Sequence, residues 1–320
     1  MRIISALLLT LALIPLPRSA RSQPYGLPKT GQENIYHHPA ENDLGDDGAV
    51  QAGYPTGSRR NLAFQDNGDG TVTDLASGLM WQKGNSSNQD FAGLSGQMTW
   101  EEAFDYVENM NSTSYAGKND WRLPNIKELA SVLNLDTWAP ASYSILDGTQ
   151  ASNYWSSTSL QIQGEQKTYC LGFNEAYIRY VHPDSTQKQF VRAVRSYLPG
   201  SGTYGYPKSG QNQVFHQGGG YDLGDDGVTQ SGYPLTGFSY MTNGDGTVRQ
   251  AATGLIWQQS DSSSQTFGGF SGPLTWEDSF SYIAQMNAQT FAGYNDWRMP
   301  NYLELVSLLD FGYFWPIIMS

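Results

Sequence analysis

The sequence predicts an α+β fold that is built twice, with two short helices and a mostly antiparallel sheet in each copy. The first observation behind this prediction is a duplication, because NDWRLPN at residues 119–125 returns as NDWRMPN at residues 295–301. The interval is the size of a whole domain and too long for a solenoid repeat. The second observation is the order of patterns within a copy: short strands bounded by turns, then two helical stretches, then strands rich in aromatic and β-branched residues.

Each copy begins with a predicted hairpin. The stretch NGDGTV at residues 67–72, which copy two repeats, contains Asn-Gly and Asp-Gly pairs that readily take the positive φ of tight turns. We predict strands at residues 71–74 and 79–83. An EF-hand-like calcium loop needs acidic ligands at its first and twelfth positions, where this chain has Gln65 and Ala76. The hairpin is therefore the favoured interpretation.

Two predicted helices follow the hairpin. Thr99 and Glu102 form a capping-box pattern, in which a hydroxyl and a carboxylate satisfy each other's backbone amides. Apolar side chains then recur at helical spacing on one face. Asn125 and Glu128 give a second capping signal ahead of a shorter apolar face, and copy two preserves this signal from Asn301.

Copy one continues into three predicted strands for which copy two has no counterpart. They are YWSST, YCLGF and FVRAVR, at residues 154–158, 169–173 and 190–195. A sheet that lacks its last strands exposes edges and apolar surface. Two interpretations are open: copy two is truncated, or another chain completes it.

These patterns divide the chain into five parts. The parts are a signal peptide, a Gly/Asp-rich lead-in, copy one, a repeated lead-in and a truncated copy two, at residues 1–22, 23–65, 66–198, 199–241 and 242–320. The signal peptide is expected because an apolar run after Arg2 is long enough for secretion and too short for a spanning helix. After its cleavage we expect no membrane span and a secreted, periplasmic or cell-surface protein.

Composition excludes some classes of function. The formal net charge is −12, which argues against a nucleic-acid partner because such partners need a basic surface. The single cysteine, Cys170, cannot form an internal disulfide, and its only plausible base, His182, is distant in sequence. No spacing of carboxylates marks an acid–base pair, and no phosphate loop is present. We therefore expect a protein that is not an enzyme.

Asp-rich turns in the two lead-ins are candidate calcium sites, because clustered oxygen ligands suit a hard cation. The candidate residues are Asp43, Asp46, Asp47, Asp222, Asp225 and Asp226. The alternative is a solvated Asp-Gly turn whose side chains bond the backbone. Calcium is the one cofactor that the sequence suggests.

The repeated Trp-Arg pair is a candidate ligand site. An indole can stack on the face of a sugar while a guanidinium donates hydrogen bonds to two of the sugar's hydroxyls. The candidate ligand-binding residues are Trp121, Arg122, Trp155, Trp297 and Arg298. The alternative is that the tryptophans belong to the core and that Arg122 pairs with Glu128 or Asp120. Both interpretations fit a motif that lies next to a helix cap.

Taken together in order, the motifs resemble the Lcl C-terminal domain family, named for a bacterial collagen-like adhesin. The resemblance covers residues 66–196 fully and 242–312 partly. It rests on the ordered set DNGDGTVTD, GLMW, TW, DWRLPN, EL, YWSST and VRAVR, which begin at residues 66, 78, 99, 120, 128, 154 and 191. The resemblance implies a bacterial extracellular or periplasmic module, with a fold related to C-type-lectin-like domains. The founding adhesin's domain binds sulfated polysaccharide, a ligand class that favours basic surfaces, so the acidity of this chain departs from the family's expectation.

From these observations we expect a secreted or periplasmic, non-catalytic, adhesin-like binding module for glycans or cell-surface polymer. The expected partner is an extracellular polysaccharide or a surface protein. The alternative is a structural or assembly module that binds protein partners in a bacterial surface complex.

Overall fold

A computed structural model gives the fold of most of the chain. It describes residues 13–14, 27–34, 46–53, 63–183, 186–197, 207–214, 224–232 and 240–312. The first elements in chain order are β1 (Leu13–Ile14), a two-residue strand within the predicted signal peptide, and α1 (Asp47–Val50), a single helical turn in the first lead-in.

Copy one combines two helices with two antiparallel sheets. Its elements are β2 (Phe64–Asp66), β3 (Thr71–Asp74), β4 (Leu79–Gln82), α2 (Trp100–Ser112), α3 (Ile126–Ala130), β5 (Asn153–Ile162), β6 (Glu165–Gly172), β7 (Tyr177–Val181) and β8 (Val194–Ser196). One sheet has the strand order β2-β3-β4-β8 and the other β5-β6-β7. The predicted α+β class is confirmed.

The second lead-in and copy two repeat the first half of this arrangement. Their elements are α4 (Asp226–Thr229), β9 (Tyr240–Thr242), β10 (Thr247–Gln250), β11 (Ile256–Gln258), α5 (Trp276–Ala288) and α6 (Tyr302–Leu308). Strands β9, β10 and β11 form an antiparallel sheet whose outer edge is covered by β1. No strand follows α6 within the described residues, which end at 312.

The hairpin predicted at the start of each copy is present. Strands β2 and β3 pair in antiparallel fashion across the turn. The Asp69 carboxylate accepts hydrogen bonds from the backbone N–H and the hydroxyl of Thr71, at 3.0 and 2.6 Å. Gly68 and Gly70 have φ of 75° and 90°, which a residue with a Cβ seldom adopts. Asp69 therefore stabilises the turn.

The capping boxes explain where the helices begin. In α2, Glu102 N–H donates to the Thr99 hydroxyl and Thr99 N–H donates to the Glu102 carboxylate. The predicted apolar face is buried and packs into one cluster with β4, β5 and β6. That cluster includes Trp100, which is fully buried. Local sequence therefore sets the start of the helix, and the sheets supply the surface that buries its face.

The two copies share part of one core. Phe311, just after α6, packs edge-on against Tyr169 of β6, with ring centroids 5.0 Å apart. Leu303 and Val306 of α6 belong to the same buried cluster as α3. Lys127 of α3 is buried at this contact, and its Nζ donates to the Ser307 carbonyl at 3.1 Å. The copies are therefore packed together through α3 and α6.

Each lead-in reaches across to the opposite copy. The Asn125 amide of copy one donates to the Ser231 carbonyl of the second lead-in at 2.8 Å. The Asn301 amide of copy two donates to the Ala52 carbonyl of the first lead-in at 3.0 Å. These matched bonds give the two lead-ins a reciprocal arrangement. Among the described residues, no helix combines the length and the apolar character needed to cross a membrane.

Candidate functional site

The Trp-Arg motif of copy one ends at the cap of α3. Arg122 Nη1 and Nη2 donate to the two carboxylate oxygens of Glu128, each at 2.7 Å. The same carboxylate accepts the backbone N–H of Asn125 at 2.9 Å, and the Asn125 side chain accepts the backbone N–H of Glu128 at 2.8 Å. Glu128 therefore takes part in a bidentate ion pair and in a capping box at the same time.

Copy two reproduces this unit. Arg298 donates to the Glu304 carboxylate at 2.8 and 2.5 Å, and Asn301 and Glu304 form the matching capping box. We call Arg122–Asn125–Glu128 and Arg298–Asn301–Glu304 the two brace units. Their repetition identifies a requirement of the fold at the start of the second helix of each copy.

The three candidate tryptophans lie in the core. Trp121 and Trp297 are each 3% exposed, and their Nε1 atoms donate to backbone carbonyls at 3.1 Å. Trp155 is fully buried in β5, and its Nε1 donates to the Met98 carbonyl at 2.8 Å. This geometry matches the alternative interpretation, a core indole with Arg122 paired to Glu128. A ligand-binding role for these residues stays a prediction, and no indole face of the three is open in this structure.

The lead-in carboxylates are held by hydrogen bonds from neighbouring side chains. Asp225 accepts the Ser159 hydroxyl of β5 at 2.6 Å and also bonds the Gln211 amide. Asp226 accepts the Ser209 hydroxyl, and the Thr158 hydroxyl at 3.3 Å. Burial raises the pKa of the Asp226 carboxyl to about 6. Four side chains therefore occupy the oxygens that a cation would need.

The first lead-in repeats this pattern. The Gln32 amide donates to Asp46 at 2.6 Å, and the Thr30 hydroxyl donates to Asp47. Burial raises the pKa of the Asp47 carboxyl above its usual range. Asp43 and Asp222 lie outside the described residues. Within the part of the chain that the structure describes, no three His, Cys, Asp or Glu side chains are grouped to hold a metal. Calcium stays a prediction, which thermal unfolding with calcium and with chelator would test.

The single thiol is inaccessible. Cys170 is fully buried in β6, between β5 and β7. Burial raises the pKa of its thiol, which disfavours the reactive thiolate. Cys170 therefore has the surroundings of a core residue.

One aromatic side chain that sequence reasoning did not single out stands in solvent. Trp138, in the loop after α3, is 74% exposed. The Thr137 hydroxyl beside it lies 3.1–3.4 Å from the carbonyl oxygens of Asn134, Pro140 and Ser142. The loop is thus closed by its own hydrogen bonds, and the indole projects from it. In the sequence, Trp138 lies within a run of turn-forming residues and has no apolar partners at helical or strand spacing. That pattern is the signal for its exposure.

The first lead-in anchors the Trp138 loop from outside. The Asn34 amide donates to both carboxylate oxygens of Asp136, at 2.8 and 3.0 Å. The Asn134 side chain accepts the backbone N–H of Asp136 at 3.1 Å. An exposed indole on a braced loop can contact a ligand with little loss of conformational entropy.

The fold and the brace units define a tandem α+β module of two packed copies. The chain belongs to the Lcl C-terminal domain family, whose model matches residues 70–195 and 246–320. The match in two segments agrees with two tandem copies, and the family suggests an adhesin-like binding module. A comparison with curated proteins finds no match.

Proposed function

We propose that the protein is a secreted or periplasmic, non-catalytic binding module for glycans or cell-surface polymer, and that Trp138 makes the central contact. The observation that carries this proposal is the 74% exposure of the Trp138 indole on a braced loop. Family membership supports it at the coarser level of an adhesin-like binding module. Large rigid aromatic side chains are favoured contact residues in recognition sites.

The charge of the chain bears on the class of glycan. With a formal net charge of −12, the protein repels sulfated and other anionic polymers at long range. The indole offers a flat apolar face to the C–H face of a pyranose, and that contact needs no charge. We therefore propose an uncharged glycan as the preferred ligand.

The test is a glycan array followed by titration of the best ligand into the full chain. We expect Trp138→Ala to weaken binding at least tenfold, because it removes the stacking face. Trp276→Ala is the matched control, since Trp276 is also exposed, at 44%, but belongs to copy two. It should leave affinity within twofold of the parent chain.

Two outcomes would count against the proposal. Silence of the array at high protein concentration would remove glycans as the ligand class. Equal affinities for the parent chain and Trp138→Ala would place the contact elsewhere on the molecule.

A further inference from the structure

The first lead-in touches the backbone of the loop that carries Trp138. The Leu135 N–H donates to the Thr30 carbonyl at 2.9 Å. The next lead-in residue, Gly31, has φ of 86°, and a Cβ there would lie 2.5 Å from the Asn134 side-chain oxygen. The lead-in thus approaches the loop too closely for a side chain at this position. Together with the amide–carboxylate bonds described above, these contacts hold the base of the Trp138 loop from outside copy one.

The same lead-in contacts copy two at its other end. The Asn301 amide, at the start of α6, donates to the Ala52 carbonyl at 3.0 Å. Asn301 also belongs to the brace unit of copy two, where its side-chain oxygen accepts the Glu304 N–H at 2.9 Å. The first lead-in therefore extends from the Trp138 loop of copy one to the brace unit of copy two.

The Asp47 carboxylate joins these two ends of the lead-in. It accepts the Thr30 hydroxyl and the Ala52 N–H. The Thr30 carbonyl in turn binds Leu135 of copy one, and the Ala52 carbonyl binds Asn301 of copy two. A continuous series of four hydrogen bonds therefore leads from the loop, through a half-buried carboxylate, to the helix cap of copy two.

This series of hydrogen bonds is shielded from water at both ends. Thr30 is 2% exposed and Asn301 is 5% exposed. Losing one bond leaves a buried partner unsatisfied, which costs more than the same loss at the surface. Hydrogen bonds in such surroundings also polarise one another. We therefore expect a break at one end of the series to loosen the other end.

The second lead-in repeats the series with the two copies exchanged. The Phe311 N–H, in the loop after α6, donates to the Ser209 carbonyl at 2.9 Å, and the Ser209 hydroxyl donates to Asp226. At the other end, the Ser231 carbonyl accepts the Asn125 amide of copy one at 2.8 Å. The repetition indicates that the series belongs to the tandem arrangement and is not an accident of one local sequence.

We propose that copy two controls the Trp138 site, because its helix cap, acting through Asn301 and the first lead-in, positions the loop from which the indole projects. This assignment rests on the proposed function, since it gives copy two the role of supporting the same contact residue. Asn301, Asp47 and Thr30 are positioning residues, which act on the indole through the loop. By reciprocity, a glycan bound at Trp138 strengthens the docking of the lead-in on copy two by the same factor.

The first test breaks the series near the loop, in the full chain. Thr30→Val keeps the shape of the side chain and removes the hydroxyl that binds Asp47. We expect hydrogen exchange of the Leu135 amide, measured by NMR, to become about fivefold faster. Thr30→Ser is the matched control, because Ser209 makes the same bond in the second lead-in. It should restore the exchange rate of the parent chain.

The second test breaks the series in copy two. Asn301→Ser keeps a side-chain oxygen for the helix cap and removes the amide that binds Ala52. Exchange of the Leu135 amide in copy one should become about threefold faster, because the tie to copy two is lost. Asn125→Ser makes the same change in copy one. It should speed exchange of the Phe311 amide and leave the Leu135 amide unchanged.

The glycan array then connects these exchange rates to binding. Glycans that bind the parent chain should bind Asn301→Ser about threefold more weakly, and should bind Asn125→Ser as tightly as the parent. A merely structural role does not predict this difference, because both substitutions change a helix cap in the same way.

Parent-like exchange of the Leu135 amide in Asn301→Ser would overturn the assignment. Equal acceleration by Asn301→Ser and Asn125→Ser would overturn it as well, since that result reflects a general loss of stability. Silence of the array with the crosswise exchange pattern intact would remove glycan binding and uphold the positioning of the loop by copy two. The proposed function and this assignment therefore fail on different measurements.

Discussion

Trp100 and Trp276 begin corresponding helices in the two copies, yet the first is fully buried and the second is 44% exposed. Both helices start one residue after a threonine whose side chain accepts a backbone N–H. Local sequence therefore makes the same helix twice. In copy one β5 packs beside the helix, and Trp100 Nε1 donates to the Ser156 carbonyl of β5 at 2.8 Å. The comparison separates the formation of a helix, which depends on its own segment, from the burial of that helix, which depends on other segments packing against it.

The brace units show the opposite behaviour. Glu128 and Glu304 are both buried, and each receives two hydrogen bonds from its arginine. These contacts lie within seven-residue stretches, 122–128 and 298–304, so both partners of each contact come from the same short segment. The two copies thus share their local braces and differ in their long-range cover.

Replacing the tryptophans gives the largest expected difference between the copies. Trp100→Ala leaves a large cavity in a closed core, and we expect it to cost about 3–5 kcal/mol of unfolding free energy. Trp276→Ala removes a half-exposed side chain, and we expect about 1 kcal/mol. Urea denaturation measures the totals, and hydrogen exchange in α2 and α5 reports each copy separately. Similar costs at the two sites would show that Trp276 is covered in solution.

Replacing the arginines tests whether the two brace units contribute equally to stability. Arg122→Ala and Arg298→Ala each leave a buried glutamate without its partner, and we expect about 3 kcal/mol of destabilisation in either case. The expected equality is the informative result, because the two brace units have the same hydrogen bonds. A clearly smaller loss for Arg298→Ala would mean that solvent reaches Glu304 more readily than Glu128. The same denaturation series provides the measurement.

A third substitution makes copy one resemble copy two at their contact. Copy two has Leu303 where copy one has Lys127. Burial lowers the pKa of Lys127 to about 7. Because the unfolded chain binds this proton more tightly, its charge destabilises the fold most below pH 7. That cost disappears as pH rises toward 10.5.

Lys127→Leu should therefore remove a rise in stability between pH 7 and 10.5, and should add about 1 kcal/mol at neutral pH. Stability curves of the parent chain and the variant over this range provide the measurement. Parallel curves would show that Lys127 reaches solvent when charged.

Several elements could be predicted from sequence because they depend on neighbours along the chain. The turn around Asp69 and the capping boxes at Thr99 and Asn125 each join residues at most four positions apart. The pairing of Arg122 with Glu128 was one of two interpretations, and a separation of six residues was enough to suggest it. Short-range chemistry of this kind leaves a pattern that one sequence can show.

The candidate sites were harder, because their surroundings come from distant segments. A Trp-Arg pair has the same sequence whether its indole faces a ligand or the core, and packing against α2 put Trp121 inside. The sequence makes Asp225 and Asp226 candidate cation ligands, but it does not show that hydroxyls of β5, more than sixty positions away, donate to their carboxylates.

By itself the sequence determined the duplication, the α+β class, the hairpins and the helix starts, since each depends on backbone preferences and side chains within a few residues. Only the tertiary structure decided which tryptophan is exposed and which copy each lead-in contacts. Burial and long-range hydrogen bonds depend on which surfaces meet. In this chain those surfaces belong to segments as many as 249 positions apart.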